Sequence, residues 1–154
     1  MSEENKTQRT VLMSIVTKQA TKIMDGTKKY EFRKNIPRIS EDEALSVVVY
    51  SSQIDKAVVG RFTVSRVLRE PLDTLMEATG YANDPEARQW FGKYYGDRAM
   101  CNALEVGVVE RFDQPIPLDS LRAADPAFRP PQNFIYLPPE GALTQFIESR
   151  RTSA

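Results

Sequence analysis

Gly26-Thr27-Lys28-Lys29-Tyr30-Glu31-Phe32-Arg33-Lys34 follows a short amphipathic segment directly and alternates charged with aromatic side chains. Successive side chains of an extended strand point to opposite faces. The alternation predicts a strand with Lys29, Glu31 and Arg33 on one face and Lys28, Tyr30, Phe32 and Lys34 on the other. Tyr30 and Phe32 would pack on a core. A lysine, a carboxylate and a guanidinium in a row would present a polar site for a nucleobase or a phosphate.

Working outward, Val11 to Val16 reads as a short buried strand, and Thr17 as the cap of a helix over Lys18 to Asp25. Val16, Ala20, Ile23 and Met24 make its apolar stripe, and Gly26 stands where a left-handed residue would end it. Beyond the motif, a loop around Pro37 leads to Glu41-Asp42-Glu43, read as a solvated turn. Leu45 to Tyr50 is a β-branched run expected to be buried on both faces. Ala57 to Leu68 predicts a longer strand in which Gly60 marks a bulge or a close backbone approach. Leu72 to Thr79 and Asp84 to Tyr95 predict two helices, the second capped by Asp84 with Pro85 at its first position. Trp90, Phe91, Tyr94 and Tyr95 give that helix an aromatic stripe. Asn102 to Phe112 predicts an alternating strand with Leu104, Val106 and Val108 inward. A short helix over Leu118 to Ala123, a proline-rich loop from Arg129 into a last strand, and a helix over 140–151 complete the pattern. Five or six strands with helices between them predict an α+β fold, a small, partly closed mixed β-barrel with inserted helices.

A chain of 154 residues, 41% hydrophobic and 27% charged, has room for one domain with a single core. No apolar run approaches the ~20 residues of a spanning helix, so no membrane partner is expected. The polar start Met1 to Lys6 and the lone Cys101 make a cytoplasmic location the expectation. With no histidine and one cysteine, the chain cannot build a His- or Cys-based zinc site or a Ser-His-Asp triad. No metal and no cofactor is expected. Any catalysis would run on Lys, Glu, Asp, Tyr, Ser or Thr, or on carboxylate-bound magnesium.

Charge is zero overall but unevenly spread. Residues 5–38 hold nine Lys and Arg against two acids, whereas residues 39–154 hold twelve against seventeen. The asymmetry points to an anionic partner for the first third, unless acids of the second half fold back on it.

The order strand, helix, Gly26-x-Lys28-x-x-Glu31-x-Arg33, then a buried strand ending in Tyr50-Ser51-Ser52, resembles the ASCH domain of the PUA-like superfamily. Val58-Val59-Gly60-Arg61-Phe62 and Pro130-Pro131-Gln132-Asn133-Phe134-Ile135-Tyr136-Leu137 are similar to further family motifs. The resemblance implies a PUA-like barrel with a cleft beside the first helix, and binding of RNA or a nucleoside. It divides the chain into a flexible N-terminus (1–10), an ASCH domain (11–139) and a C-terminal helix and tail (140–154).

Cations hold phosphate or carbonyl oxygens, a carboxylate accepts from an exocyclic amine, and tyrosines stack on bases. The candidate contacts are Lys18, Lys28, Lys29, Glu31, Arg33, Ser51, Ser52, Gln132 and Asn133. A plain salt bridge between Glu31 and Arg33 is the structural alternative. The functional alternative is a hydrolase acting on RNA or on a modified nucleoside, with Lys28 and Glu31 as catalytic residues. Some ASCH proteins resemble amidohydrolases with a lysine-threonine-glutamate set; Lys28 matches the lysine, but Glu31 stands at the threonine position. A protein partner or dimer seam along Trp90 to Tyr95 is the third reading.

Overall fold

The structure, a computed structural model, describes residues 6–151. Its frame is one curled six-stranded sheet. Strand β1 (Thr7–Val16) runs into helix α1 (Thr17–Met24), which returns over the sheet to the short strand β2 (Tyr30–Arg33). Two long strands follow, β3 (Glu43–Ser52) and β4 (Ala57–Glu70), then helices α2 (Leu72–Thr79) and α3 (Pro85–Tyr95). Strand β5 (Cys101–Pro117), helix α4 (Leu118–Ala124), strand β6 (Phe134–Tyr136) and helix α5 (Ala142–Arg151) close the order. The strands lie as β2-β5-β4-β3-β1-β6, with β1 and β3 parallel and the other neighbours antiparallel. This is the α+β fold expected from the sequence, a mixed sheet curled into a partial barrel and left open between β2 and β6.

Both faces of β1 and β3 are covered, which explains their uninterrupted aliphatic runs. Val11, Met13 and Ile15 of β1 and Val47 and Val49 of β3 pack under Ala20, Ile23 and Met24 of α1. On the opposite face, Leu12, Val48 and Tyr50 meet Leu121 of α4 and Leu143 and Ile147 of α5. A third cluster sits under α2 and α3, where Leu75, Met76, Phe91 and Tyr95 cover Leu68 and Ala103, with Tyr30 and Phe32 at its margin. The aromatic half of the opening motif packs, partly buried, against the edge of this core, and Phe32 also reaches the cleft described below.

Gly60 serves both roles expected of it. The register shifts so that Val49 pairs with Gly60 and Tyr50 with Val58, leaving Val59 as the extra residue of a bulge. A Cβ at Gly60 would also collide with the Glu110 carbonyl and with Met24 of α1. The Met24 side chain therefore sits directly on the Gly60 backbone.

Three expectations need correction. Strand β1 begins at Thr7, so residues 7–10 are paired with β3 rather than flexible; polar side chains at a sheet margin hid a regular ladder. Residues 1–5 and 152–154 lie outside the described residues. Thr17 does not cap α1: Val16 holds the cap position, and the Thr17 hydroxyl donates instead to the Ser52 carbonyl at 2.6 Å. Val108 is 73% exposed rather than inward. Register slips on either side of Val64 put Val106 and Val109 against β4 and push Gly107 and Val108 out. Among the described residues, no helix is long and apolar enough to cross a membrane.

Candidate functional site

Gly26, at φ +84°, turns the chain sharply after α1, a conformation open to glycine at little cost. The Lys22 carbonyl accepts from the backbone N–H groups of both Thr27 and Lys28 at 3.0 Å, so the chain folds back on the last turn of α1. Lys28 therefore belongs to the turn, and β2 starts two residues later. Strict alternation does not reach it, and its amine lies on the Glu31 side rather than opposite.

Glu31 is 4% exposed, and its carboxylate is the centre of the site. Lys28 Nζ donates to Glu31 Oε1 at 2.8 Å and to Gln19 Oε1 of α1 at 2.9 Å. Arg33 Nη1 donates to Glu31 Oε2 at 3.1 Å and to the Ser14 carbonyl at 3.2 Å, while Arg33 Nη2 reaches the Asn133 carbonyl at 3.2 Å. A buried carboxylate is tolerable only when paired in this way. One guanidinium thus joins β2, β1 and the residue that leads into β6. It bridges the open seam of the sheet with side-chain hydrogen bonds where no strand pairs.

Over this seam lies a cleft of about 1180 Å³. Its floor is Glu31, Arg33 and Ser14; one wall is Gln19, Lys22, Thr27 and Lys28; another is the loop Pro130-Pro131-Gln132-Asn133. The far wall comes from α3 and the turn before it, with Tyr81, Asp84, Glu86, Trp90 and Tyr94. Asp84 Oδ1 accepts from the Ala87 N–H at 3.0 Å and caps α3, as the sequence predicts. Trp90 is 56% exposed and stacks on Tyr94, with ring centroids 5.0 Å apart and 15° between planes. Lys34 Nζ lies 5.1 Å from the Tyr94 ring centroid. Burial pushes the Tyr95 phenol up from its ordinary value, and its hydroxyl donates to the Asn102 carbonyl at 2.6 Å. It serves the core beneath this wall.

Six of the predicted site residues meet at the cleft: Lys28, Glu31, Arg33, Ser52, Gln132 and Asn133. Three do not line it. Lys18 is exposed on α1 and does not reach the cleft lining. Lys29 is exposed at the turn, where its carbonyl accepts from Val106 N–H. Ser51 is fully buried, with Oγ 2.8 Å from Asp55 Oδ2 and 3.0 Å from Thr17 Oγ1, and holds the β3–β4 turn. The reading missed Gln19 and Lys22, whose spacing of three on the polar face of α1 was the available signal. Trp90, expected on a surface for a protein partner, is exposed and stands on the cleft wall.

A smaller cleft of about 670 Å³ lies around Arg9, Tyr136, Arg61 and Arg151. Its arginines are engaged within the protein. Arg9 pairs with Glu43 and stands over the Tyr136 ring, Arg61 pairs with Glu148, and Arg151 pairs with Glu110 and Glu148.

No family model and no curated protein matches the chain. Among solved structures, the crystal structure of ASCH from Zymomonas mobilis superposes with a TM-score of 0.78 at 24% identity, covering 93% of this chain and 96% of that one. A serine-to-alanine variant of the same protein gives 0.78 at 23% identity over 93% and 96%. A tyrosine-to-phenylalanine variant gives 0.77 at 22% over 93% and 99%. At this identity the likeness is one of fold: the chain has the ASCH fold over nearly its whole length.

Proposed function

We propose that the seam cleft binds RNA or a nucleoside. The observation that carries this reading is the meeting, in one concavity, of an exposed Trp90 stacked on Tyr94 and a buried carboxylate flanked by two cations. Every nucleobase offers a flat π-face and a polar edge, and single-stranded RNA is recognised through both. Trp90 suits the face. Glu31, the free amine donor of Lys28, and the Gln132 and Asn133 side chains suit the edge.

The chain has one tryptophan, and it stands in the cleft, so its emission reports occupancy directly. Titration with nucleosides and with short single-stranded RNA is expected to quench or shift that emission saturably. Emission unchanged by all of them would end the proposal.

A second reading, hydrolysis of RNA or of a modified nucleoside, is favoured by one observation: Lys28 Nζ and Glu31 Oε1 lie 2.8 Å apart on the wall and floor of the cleft, an arrangement through which a proton can pass. Thr27 stands on the same wall, and its hydroxyl donates to Asp25 Oδ1 at 2.7 Å. Product formation lost in Lys28→Met would favour the enzyme. Binding with no product under the same conditions favours the module.

A further inference from the structure

We infer that the cleft takes an electrically neutral guest, a nucleobase or nucleoside, and does not grip the phosphate backbone of RNA. The inference rests on the reading above and narrows it. The cleft is lined by three cations, Lys22, Lys28 and Arg33, and by three carboxylates, Glu31, Asp84 and Glu86. The basic character of the first third of the chain does not survive into the cavity, because two acids from α3 and its cap face it across the seam.

The pairing pattern points the same way. A phosphate site needs cations whose donors converge on one empty point. Here Lys28 commits two donors to Gln19 and Glu31, and Arg33 commits three hydrogen bonds to Glu31, Ser14 and Asn133. These two of the three cations are oriented toward an internal carboxylate, and Lys22 stands alone and exposed on the wall, without a second free cation among the described lining residues to converge with it. The other usual anion position is a helix N-terminus facing the cavity. The first turn of α3 has that place, but the Asp84 carboxylate already accepts from its Ala87 N–H. The anion there belongs to the protein.

What remains unengaged is suited to a planar, uncharged, hydrogen-bonding molecule. One face of Trp90 is covered by Tyr94, and Phe91 packs against it in a T-shaped contact with ring planes 84° apart. More than half of the side chain's surface is still open. The polar atoms nearby are a mixture of donors and acceptors with no excess charge.

Binding is measured by calorimetry for the four ribonucleosides, their 5′-monophosphates and a short single-stranded RNA, at about 50 mM and about 300 mM salt, a range over which phosphate contacts weaken severalfold or more. The expected result is a nucleoside affinity that changes less than about twofold with salt, and monophosphates that bind no tighter than their nucleosides. Monophosphates bound about fivefold tighter, or an RNA affinity falling about tenfold across that range, would overturn the inference while leaving the proposed function standing. No binding of any probe would overturn the proposed function and this inference with it. Glu86→Lys tests the charge balance separately, since Glu86 is exposed at the rim. The variant is expected to raise the ratio of monophosphate to nucleoside affinity by about threefold to tenfold. An unchanged ratio would mean that the α3 acids do not set the preference.

Discussion

Arg33 Nη2 and the Asn133 carbonyl, one hundred residues apart in the chain, meet at 3.2 Å across the open seam between β2 and β6. The same carbonyl accepts from Ser14 N–H at 3.1 Å, so the start of β6 is tied to β1 by backbone and to β2 by a side chain. Arg33 is therefore a positioning residue. It sets where the Pro130–Asn133 wall stands relative to Glu31, and its hydrogen bonds are internal.

Replacing it has a structural cost first. Arg33→Met removes one of the two cations on Glu31 and leaves two carbonyls without this donor. Lys28 still pairs the carboxylate, so the loss is expected at about 1–3 kcal/mol rather than the full cost of an orphaned buried charge. For a chain of this size that lowers the melting temperature by about 2–12 °C in a thermal melt. Arg33→Lys keeps the charge without the planar fork and is expected to fall between parent and Met variant. A melt of Arg33→Met that superimposes on the parent's would show that the seam does not depend on this side chain.

Thr17 gives a prediction of a different kind, because its hydroxyl serves the wrong element for a helix cap. It accepts from Ile54 N–H at 3.3 Å and Asp55 N–H at 3.2 Å, and donates to the Ser52 carbonyl. It organises a turn in which Gln53 and Lys56 both hold positive φ, a strained conformation for residues with a Cβ. Thr17→Val is expected to cost about 1–2 kcal/mol and to speed amide exchange at Ile54 and Asp55. If exchange instead rises in the first turn of α1 while the turn stays protected, the hydroxyl acts as a cap after all.

These two residues also mark how far the sequence could be read. The elements were legible because apolar period and turn chemistry agree: Gly26 ends α1, Asp84-Pro85 opens α3, and Leu45 to Tyr50 is buried on both faces. Partners were harder. Nothing local says that Thr17 bonds across to residues 52–55, or that Arg33 finds Asn133, since both contacts exist only after the sheet has curled. The face of Lys28 was misread because alternation was carried two residues past the true start of β2. Val108 was misread because slips of register leave no mark on a string of valines. The site lay partly in view, as Glu31, Lys28 and Arg33 stand close in sequence, but its aromatic wall arrives from α3 by tertiary packing alone.

Acid should loosen the C-terminal helix. The hydrogen bond from Arg151 holds the Glu110 carboxyl below its ordinary value of 4.5. At Glu148 burial works upward, yet the Arg151 and Arg61 guanidiniums leave it lowered on balance. A carboxylate whose folded pKa is depressed contributes stability that is complete above its unfolded value and is lost as pH falls through the folded one. Both carboxylates are partly exposed, so each pair contributes roughly 1 kcal/mol or less. The expected outcome is that the melting temperatures of parent and Arg151→Met differ above about pH 5 and converge toward about pH 3. A difference that persists undiminished at the acid end would assign the effect of Arg151 to packing of its alkyl stem.

Trp90 offers the sharpest separation of binding from folding. Its neighbours on α3 divide by role: Phe91 and Tyr95 are buried and hold the helix on the sheet, while Trp90 is more than half exposed and touches chiefly Tyr94 and Phe91. Truncation leaves no internal cavity, and alanine is a good helix former, so Trp90→Ala is expected to change stability by less than about 1 kcal/mol. Stacking of a base on an aromatic side chain is worth about 1–3 kcal/mol, so nucleoside affinity should fall by about 5-fold to 150-fold. Calorimetry is the suitable readout, because the variant has lost the only fluorescent indole. Trp90→Phe retains a smaller π-face and should recover part of the affinity. Full affinity in Trp90→Ala would place the ligand elsewhere in the cleft, against the polar floor alone, whereas a variant that melts well below the parent would reassign Trp90 to the scaffold of α3.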